Sequence, residues 1–298
     1  MCLRLDGEQV ISLARQSAQC RESRPYLAHG NAKCFRGLVT LPRMADDPSI
    51  KEAGDTPDAE AYRILRTNIE FNRKTPEANA ISIVSGGPGE GKSTTIANLA
   101  FISAQGGYST LIVDADLRRP VQHELFDVSD RIGLTTYLTT EMDLEEVILP
   151  TSVENLSVLP SGVLPSDAVG TLNSQRMSDM IAELKQRYDI VLFDSPPMLG
   201  VSDASVLASE VDQTIIVVQH RRFPRAMLTR VKQAIIGVGG TVLGVVLNNV
   251  DLKHDQNYYY YTNYYGYYRP RDKDSRRTRD GKTTVSTARN GSSGLDEY

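Results

Sequence analysis

A glycine-rich loop at residues 86–93 constrains the fold of this chain more than any other feature. The loop reads Gly-Gly-Pro-Gly-Glu-Gly-Lys-Ser and matches the pattern G-x-x-x-x-G-K-[ST]. It lies between an apolar segment at 80–84 and a predicted helix at 92–105. Glycines let the backbone N–H groups of such a loop face a phosphate chain, and the N-terminus of the following helix adds positive potential. An ordinary glycine-rich turn would not require this strand-loop-helix context, so we predict a phosphate-binding P-loop.

The same pattern assigns roles to the last two side chains of the loop. Lys92 would reach the β- and γ-phosphates of ATP, and the Ser93 hydroxyl would bind Mg²⁺. ATP and Mg²⁺ are therefore the expected cofactors. The predicted nucleotide-binding residues of this segment are Gly87, Pro88, Gly89, Glu90, Gly91, Lys92, Ser93 and Thr94.

Apolar strands and amphipathic helices alternate through the middle of the chain. The predicted strands are 80–84, 109–113, 155–159, 189–193, 213–219 and 241–247, and the predicted helices are 58–73, 92–105, 173–187, 202–209 and 224–237. Continuous β-branched strands that alternate with helices are typical of a parallel sheet covered on both faces. The sequence therefore predicts an α/β fold of the P-loop NTPase type, with a mostly parallel sheet between two helical layers. In the first helix, we expect the core-facing stripe to be Ala61, Ile64, Leu65, Ile69 and Phe71.

Composition divides the 298 residues into three parts. Residues 1–57 show little periodicity and are expected to be a poorly ordered arm or linker, residues 58–250 form the P-loop domain, and residues 251–298 read as a disordered polar tail. No segment approaches the ~18 consecutive apolar residues of a membrane span. All three cysteines lie within the first 34 residues, and the cysteine-free body fits a reducing cytoplasm.

Three aspartates follow two of the predicted strands. Asp114 and Asp116 come directly after strand 109–113, and Asp194 follows strand 189–193. Acids at the carboxyl ends of parallel strands face the ligand crevice, where a carboxylate can bind Mg²⁺ or accept a proton from a nucleophile. We predict Asp114 and Asp194 as metal ligands together with Ser93, and Asp114 also as a possible base. Strand capping by Asp194 and pairing of Asp116 with Arg118 or Arg119 are the alternatives.

Tyrosine is distributed unevenly in this chain. There are 14 tyrosines and no tryptophan, and eight of the tyrosines lie within residues 258–268. The run has no apolar–polar alternation, so a buried strand is a poor interpretation; a sticky low-complexity segment is another alternative. A base-stacking surface would need a basic groove, but residues 44–268 carry a net charge of −11 and the whole chain −4, so we expect no nucleic-acid partner. As an exposed, tethered segment, the cluster suits the role of phosphoryl acceptor.

These ordered motifs together resemble the bacterial tyrosine kinases of capsular and exopolysaccharide biosynthesis. The resemblance rests on the P-loop, LIVDADLRRP at 111–120, IVLFDSPP at 190–197 and the tyrosine cluster, and it covers residues 58–268. It implies a protein-tyrosine kinase with Lys92, Asp114, Asp116 and Asp194 as catalytic residues. It also implies autophosphorylation of the tail, at Tyr258, Tyr259, Tyr260, Tyr261, Tyr264, Tyr265, Tyr267 and Tyr268.

Two further matches come with this resemblance. Glu60, Arg63 and Arg66 fit the family's E-x-x-R-x-x-R helix, which implies self-association into a ring through residues 60–66. Their spacing puts them on one helix face, where they could pair with acids of a neighbour or form a solvated charged surface. Asn248 matches a position suited to contact with the nucleotide base. The family pattern departs at Pro165–Leu172, where Gly170 stands in place of the usual glutamate.

The resemblance also implies partners and a location. Such kinases regulate polysaccharide synthesis and export. In some relatives the kinase is fused behind a two-helix membrane protein, and in others it is a separate chain that a membrane co-polymerase activates, so this chain is either a separate kinase or a fragment of a fused one. We therefore expect a cytoplasmic chain recruited to the inner face of the membrane, with a protein-tyrosine phosphatase and other protein substrates as partners. One alternative is a partitioning or positioning ATPase, which would have a signature lysine at the position of Gly87. The other is a non-catalytic nucleotide-binding regulatory module.

Overall fold

An eight-stranded sheet forms the centre of the part of the chain that the structure describes, residues 37–42 and 57–250 of a computed structural model. The strands are β1 (Gly37–Pro42), β2 (Ala80–Ser85), β3 (Thr110–Asp114), β4 (Leu149–Pro150), β5 (Leu156–Leu159), β6 (Ile190–Asp194), β7 (Gln213–Gln219) and β8 (Val242–Val250). Their order across the sheet is β1-β8-β7-β2-β6-β3-β5-β4. All neighbouring pairs are parallel except β4 and β5, which are antiparallel. The prediction of a mostly parallel sheet is confirmed.

Helices cover both faces of this sheet. Within the described residues they are α1 (Pro57–Asn72), α2 (Lys92–Gln105), α3 (Gln122–Phe126), α4 (Leu134–Thr139), α5 (Leu144–Val147), α6 (Ala168–Leu172), α7 (Gln175–Arg187), α8 (Asp203–Glu210) and α9 (Arg225–Gly237). Alternate residues of a strand face opposite sides, and in β7 Ile215 packs with α1 and α2 whereas Ile216 packs with α8 and α9. The predicted three-layer arrangement is therefore confirmed.

The long elements agree with the sequence prediction to within about two residues at most ends, because each has a strong apolar period. Two features differ. Strand β1 lies in the segment for which the sequence predicts no element; it pairs with β8 and buries Leu41. In α1, Phe71 is 81% exposed, so its placement in the core-facing stripe is wrong, and Tyr62 is buried instead.

The order of the strands determines where the functional residues meet. Five neighbouring parallel strands, β8, β7, β2, β6 and β3, have their carboxyl ends at the same edge of the sheet. The P-loop follows β2, Asp194 and Asp114 end β6 and β3, and Asn248 lies near the end of β8. Ligands of open α/β sheets bind at this edge. No helix among the described residues is long and apolar enough to cross a membrane.

Candidate nucleotide and catalytic site

The P-loop connects β2 to α2 and has the backbone conformation that its glycines permit. Gly89 and Gly91 have φ angles of 72° and 88°, a region that residues with a Cβ rarely adopt. A Cβ on Gly91 would also lie 2.1 Å from the Asn248 amide nitrogen. Lys92 begins α2 and is buried, with 7% of its surface exposed, and Ser93 and Thr94 follow in the first helical turn. The predicted nucleotide-binding residues therefore lie in the loop and in the first turn of α2.

Glu90 joins the P-loop to the end of β7 through hydrogen bonds. Its carboxylate is buried and accepts hydrogen bonds from the backbone N–H groups of Gly87, at 2.7 Å, and Gln219, at 3.1 Å. Burial raises the pKa of Glu90, and these backbone hydrogen bonds oppose the shift. The structure thus places Glu90 in the predicted site, but its carboxylate binds the loop backbone.

The segment after β7 covers the outer side of the P-loop. Arg222 Nη1 donates to the Gly89 carbonyl at 2.5 Å and to Gln219 Oε1 at 2.6 Å. Phe223 packs so closely that a Cβ on Gly87 would lie 2.9 Å from its ring. A side chain at position 87 would therefore require Phe223 to move. Nothing in the sequence indicated these two residues, because their loop meets the P-loop only through the pairing of β7 with β2.

Asn248 contacts the P-loop itself. Its amide Nδ2 donates to the Glu90 carbonyl at 3.0 Å. The predicted contact with a nucleotide base stays a prediction, and the observed role of the amide is to hold the end of β8 against the loop.

Asp114 and Asp194 lie side by side at the ends of two neighbouring strands. They are register partners of β3 and β6, and both are fully buried. Asp114 Oδ2 accepts from the backbone N–H groups of Val121 and Gln122, at 3.0 and 2.9 Å. Burial above all, and then the Asp194 carboxylate, raise the pKa of Asp114 well above its usual value. The pKa of Asp194 is also raised by burial, against the opposing effects of Lys92 and of hydrogen bonds from Ser93 and Gln122.

Three buried oxygens at this edge have no hydrogen-bond partner in the described part of the chain. They are Asp114 Oδ1, Asp194 Oδ1 and Gln122 Oε1. Two buried carboxylates, each with an unpartnered oxygen and a raised pKa, favour a cation between or beside them. Carboxylate and hydroxyl oxygens are the ligands that Mg²⁺ prefers. The donor set of Ser93, Asp114 and Asp194 therefore fits the predicted Mg²⁺ ion.

Asp116 lies two positions after Asp114 in the chain and forms a tight turn. Its Oδ1 accepts from the backbone N–H groups of Arg118 and Arg119, at 3.3 and 3.1 Å. The Arg118 side chain instead makes a bidentate ion pair with Asp203 of α8, at 2.6 and 3.1 Å. Asp116 thus contacts Arg118 and Arg119 through their backbone N–H groups, while the Arg118 guanidinium pairs with Asp203.

Comparison with known proteins assigns the family. The AAA domain family model matches residues 78–238, more than half of the chain. The tyrosine-protein kinase YwqD of Bacillus subtilis (strain 168) is 36% identical over 204 residues, which cover 68% of this chain and 86% of that protein. The chain belongs to the bacterial tyrosine-protein kinase family. It therefore has the nucleotide-binding P-loop domain that this family shares.

Solved structures agree with that assignment. The chimerical protein CapA2B2 superposes on this bacterial tyrosine kinase with a TM-score of 0.70 and 29% identity, covering 81% of this chain and 99% of that chain. The kinase domain of the Escherichia coli tyrosine kinase ETK superposes with a TM-score of 0.68 and 28% identity, covering 74% and 93%.

The helix predicted for self-association is present in this bacterial tyrosine kinase as α1. Arg63 pairs with Glu60 one turn away, at 3.2 Å, and the Arg66 guanidinium lies 4.9 Å from the centre of the Tyr108 ring. The predicted interface residues therefore already make contacts within their own chain, and Arg66 ties α1 to the segment between α2 and β3.

Two predicted segments have different outcomes. The tyrosine cluster and the rest of residues 251–298 lie outside the described residues, as does most of the N-terminal arm.

The segment at 165–172, which departs from the family pattern, contains α6. Asp167 caps the first turn of this helix, because its carboxylate accepts a hydrogen bond from the Gly170 N–H at 2.9 Å. A Cβ on Gly170 would lie 2.3 Å from that carboxylate, so the glycine leaves room for the cap.

Proposed function

We propose that this chain transfers the γ-phosphoryl group of ATP to tyrosine hydroxyls, first of all those of its own C-terminal cluster. The observation that carries the proposal is the pair of buried carboxylates, Asp114 and Asp194, beside the P-loop residues Lys92 and Ser93. A nucleotide held by the P-loop places its terminal phosphate near this pair. Membership of the tyrosine kinase family supports tyrosine as the acceptor.

The residues at this edge have separable roles in the reaction. Lys92 stabilises charge that develops on the β- and γ-phosphates. Mg²⁺, when bound by Ser93, Asp194 and Asp114, neutralises charge on the phosphate oxygens. As the tyrosine oxygen bonds to the γ-phosphorus and the bond to the β-phosphate oxygen breaks, the phenolic proton passes to Asp114. A carboxylate can accept such a proton as a general base.

The tail supplies the acceptors in this proposal. Eight tyrosines lie within residues 258–268, and the last described strand ends at Val250 at the same edge as the P-loop. The first of these tyrosines is eight residues beyond Val250, so the extended chain could reach up to ~29 Å from the sheet. Such tethering gives a high effective concentration without a docking pocket. Other protein substrates would have to enter from solution.

The biological setting follows from the family resemblance. Phosphorylation and dephosphorylation of the tail would regulate capsular or exopolysaccharide synthesis and export. A membrane co-polymerase would activate the kinase at the inner face of the membrane, and a protein-tyrosine phosphatase would reverse the modification. Subunits would assemble into a ring through Glu60, Arg63 and Arg66 of α1.

The test is incubation of the purified full chain with γ-labelled ATP and Mg²⁺, with and without a candidate membrane activator. We expect label on tail tyrosines, and none in Lys92→Met, because the loop lysine acts on the transferring phosphoryl group. Replacement of all eight cluster tyrosines by phenylalanine should remove the tail label while ATP hydrolysis continues.

The same assay separates the alternatives. Release of phosphate without labelled tyrosine would favour a partitioning-type ATPase, and ATP binding with neither product, even with activator, would favour a regulatory module. The close packing of Phe223 on Gly87 argues against the first alternative, since the signature lysine of those ATPases would stand at this position.

A further inference from the structure

Gln122 links three functional segments of the site, although it belongs to none of the recognised motifs. Its side chain is fully buried at the start of α3. The amide Nε2 donates to Asp194 Oδ2 at 2.7 Å and lies 3.2 Å from the Ser93 carbonyl. The backbone N–H of the same residue donates to Asp114 Oδ2 at 2.9 Å. One residue thus contacts the P-loop and the last residue of both β3 and β6.

We propose that Gln122 is a positioning residue for the Mg²⁺ site, which orients Asp194 so that its second carboxylate oxygen faces the cation. The proposal rests on the Mg²⁺-nucleotide part of the proposed function and not on tyrosine as the acceptor.

The hydrogen-bond pattern supports this role. Both groups beside Gln122 Nε2 are acceptors, so the orientation of the amide is determined by its surroundings. The amide occupies Asp194 Oδ2 and leaves Oδ1 without a partner, and Asp114 shows the same division between a bonded Oδ2 and an unpartnered Oδ1. Each carboxylate is therefore held by one oxygen and keeps the other available for a metal ion.

The glutamine amide donates its hydrogen bond to Asp194 without carrying a charge. A lysine or arginine here would also donate to Asp194, but its positive charge would compete with a bound cation. An apolar residue would leave Asp194 Oδ2 buried without a donor. An amide donates without adding charge, and its own Oε1, buried and unpartnered, can accept a hydrogen bond from water on the ion.

The experiment measures Mg²⁺ affinity directly, without turnover. The nucleotide-free full chain is titrated with fluorescent ADP in EDTA and across a Mg²⁺ series. Gln122→Met preserves the side-chain length but cannot donate a hydrogen bond. We expect its Mg²⁺ midpoint to rise about 10-fold, the lower end of the loss in metal affinity seen when a residue that hydrogen-bonds a metal ligand is replaced. Binding of ADP in EDTA should remain at the wild-type level, because the phosphate contacts of the P-loop are retained.

Two further variants complete the design. Gln175→Met is the matched control, since Gln175 makes the same kind of amide–carboxylate contact with Asp179, at 2.9 Å, on the exposed surface of α7; its Mg²⁺ midpoint should not change. Gln122→Asn keeps the amide but is one methylene shorter, so it should also raise the Mg²⁺ midpoint. If Gln122→Met does not fold, this variant provides the test of the Gln122 amide.

Three results would overturn the inference. They are a wild-type Mg²⁺ midpoint in the folded Gln122 variants, an equal loss of ADP affinity with and without Mg²⁺, and ADP binding by the wild type that ignores Mg²⁺. A chain whose ADP binding depends on Mg²⁺ and on Gln122, but which labels no tyrosine, would contradict the kinase proposal alone.

Discussion

Asp114 and Asp194, the two buried carboxylates at the carboxyl edge of the sheet, are each held through one oxygen. That oxygen is hydrogen-bonded, and the other has no partner among the described residues. Burying two such carboxylates side by side is unfavourable without a cation. The site is therefore less stable than it could be in the nucleotide-free protein, a common cost of active-site charge.

A first prediction concerns Asp114→Asn. Because the pKa of Asp114 is raised, the folded state binds a proton there more tightly than the unfolded chain does. This contribution to stability is present below the ordinary aspartate pKa of about 4, and it is lost as the pH rises through the raised pKa of the folded state. We expect Asp114→Asn to raise the melting temperature of the nucleotide-free protein at pH 8 and to abolish phosphotyrosine formation.

Calorimetric melts between pH 4 and pH 8 check this prediction. The gain should shrink toward pH 4, where the wild-type carboxyl is itself protonated. Asp179→Asn, on the exposed surface of α7, serves as the control and should show no such trend. A gain of equal size at every pH would mean that the charge of the buried Asp114 carboxylate is not its source.

The elements of the fold bring together residues that are distant in the chain. Strands β2, β6 and β3 are neighbours in the sheet, so the P-loop, Asp194 and Asp114 meet although they span more than 100 residues. Helix α1 is joined to this core by apolar residues and by Arg66, which lies over Tyr108. A helix predicted to join subunits is thus also part of the packing of its own domain.

A second prediction follows for α1. Arg66→Ala removes a cation–π contact of about 0.5–1 kcal/mol as well as the packing of the arginine stem, so we expect a lower free energy of unfolding together with weaker self-association. Arg230→Ala, at an exposed position of α9, is the control. Urea denaturation and sedimentation velocity give the two quantities. Loss of self-association with unchanged stability would instead assign Arg66 only to the interface.

Charge is distributed unevenly over the whole molecule. Residues 1–43 carry +4 and residues 269–298 carry +3, which leaves −11 for residues 44–268. Each phosphotyrosine would add roughly −1.5 to −2 charges. A phosphorylated tail on an acidic body would therefore repel the neighbouring subunits of an assembly.

A third prediction is that phosphorylation of the tail disperses the assembly. We expect sedimentation velocity to give a larger mass for phosphatase-treated protein than for protein incubated with ATP and Mg²⁺. The repulsion should weaken as salt is added, because salt screens exposed charges. The variant with all eight cluster tyrosines changed to phenylalanine should keep the larger mass under both treatments; the same mass for both wild-type samples would contradict the hypothesis.

The sequence by itself determined the fold class, the P-loop and the three aspartates, because these depend on local patterns. Strand and helix periods, a glycine-rich loop and acids at strand ends can each be recognised within a few residues. The core-facing side of α1 was predicted less well, since Phe71 has the right residue type but lies at the exposed end of the helix.

Only the tertiary structure decided how these parts act on one another. Gln122 has no sequence signal, and its importance comes from the adjacency of β3 and β6, which places its amide between Asp194 and the P-loop. The pairing of Arg118 with Asp203 and the cover of Phe223 on Gly87 likewise join segments far apart in the chain. A buried polar group forms its hydrogen bond with whichever partner the fold brings within reach, and the neighbouring residues in the sequence do not identify that partner.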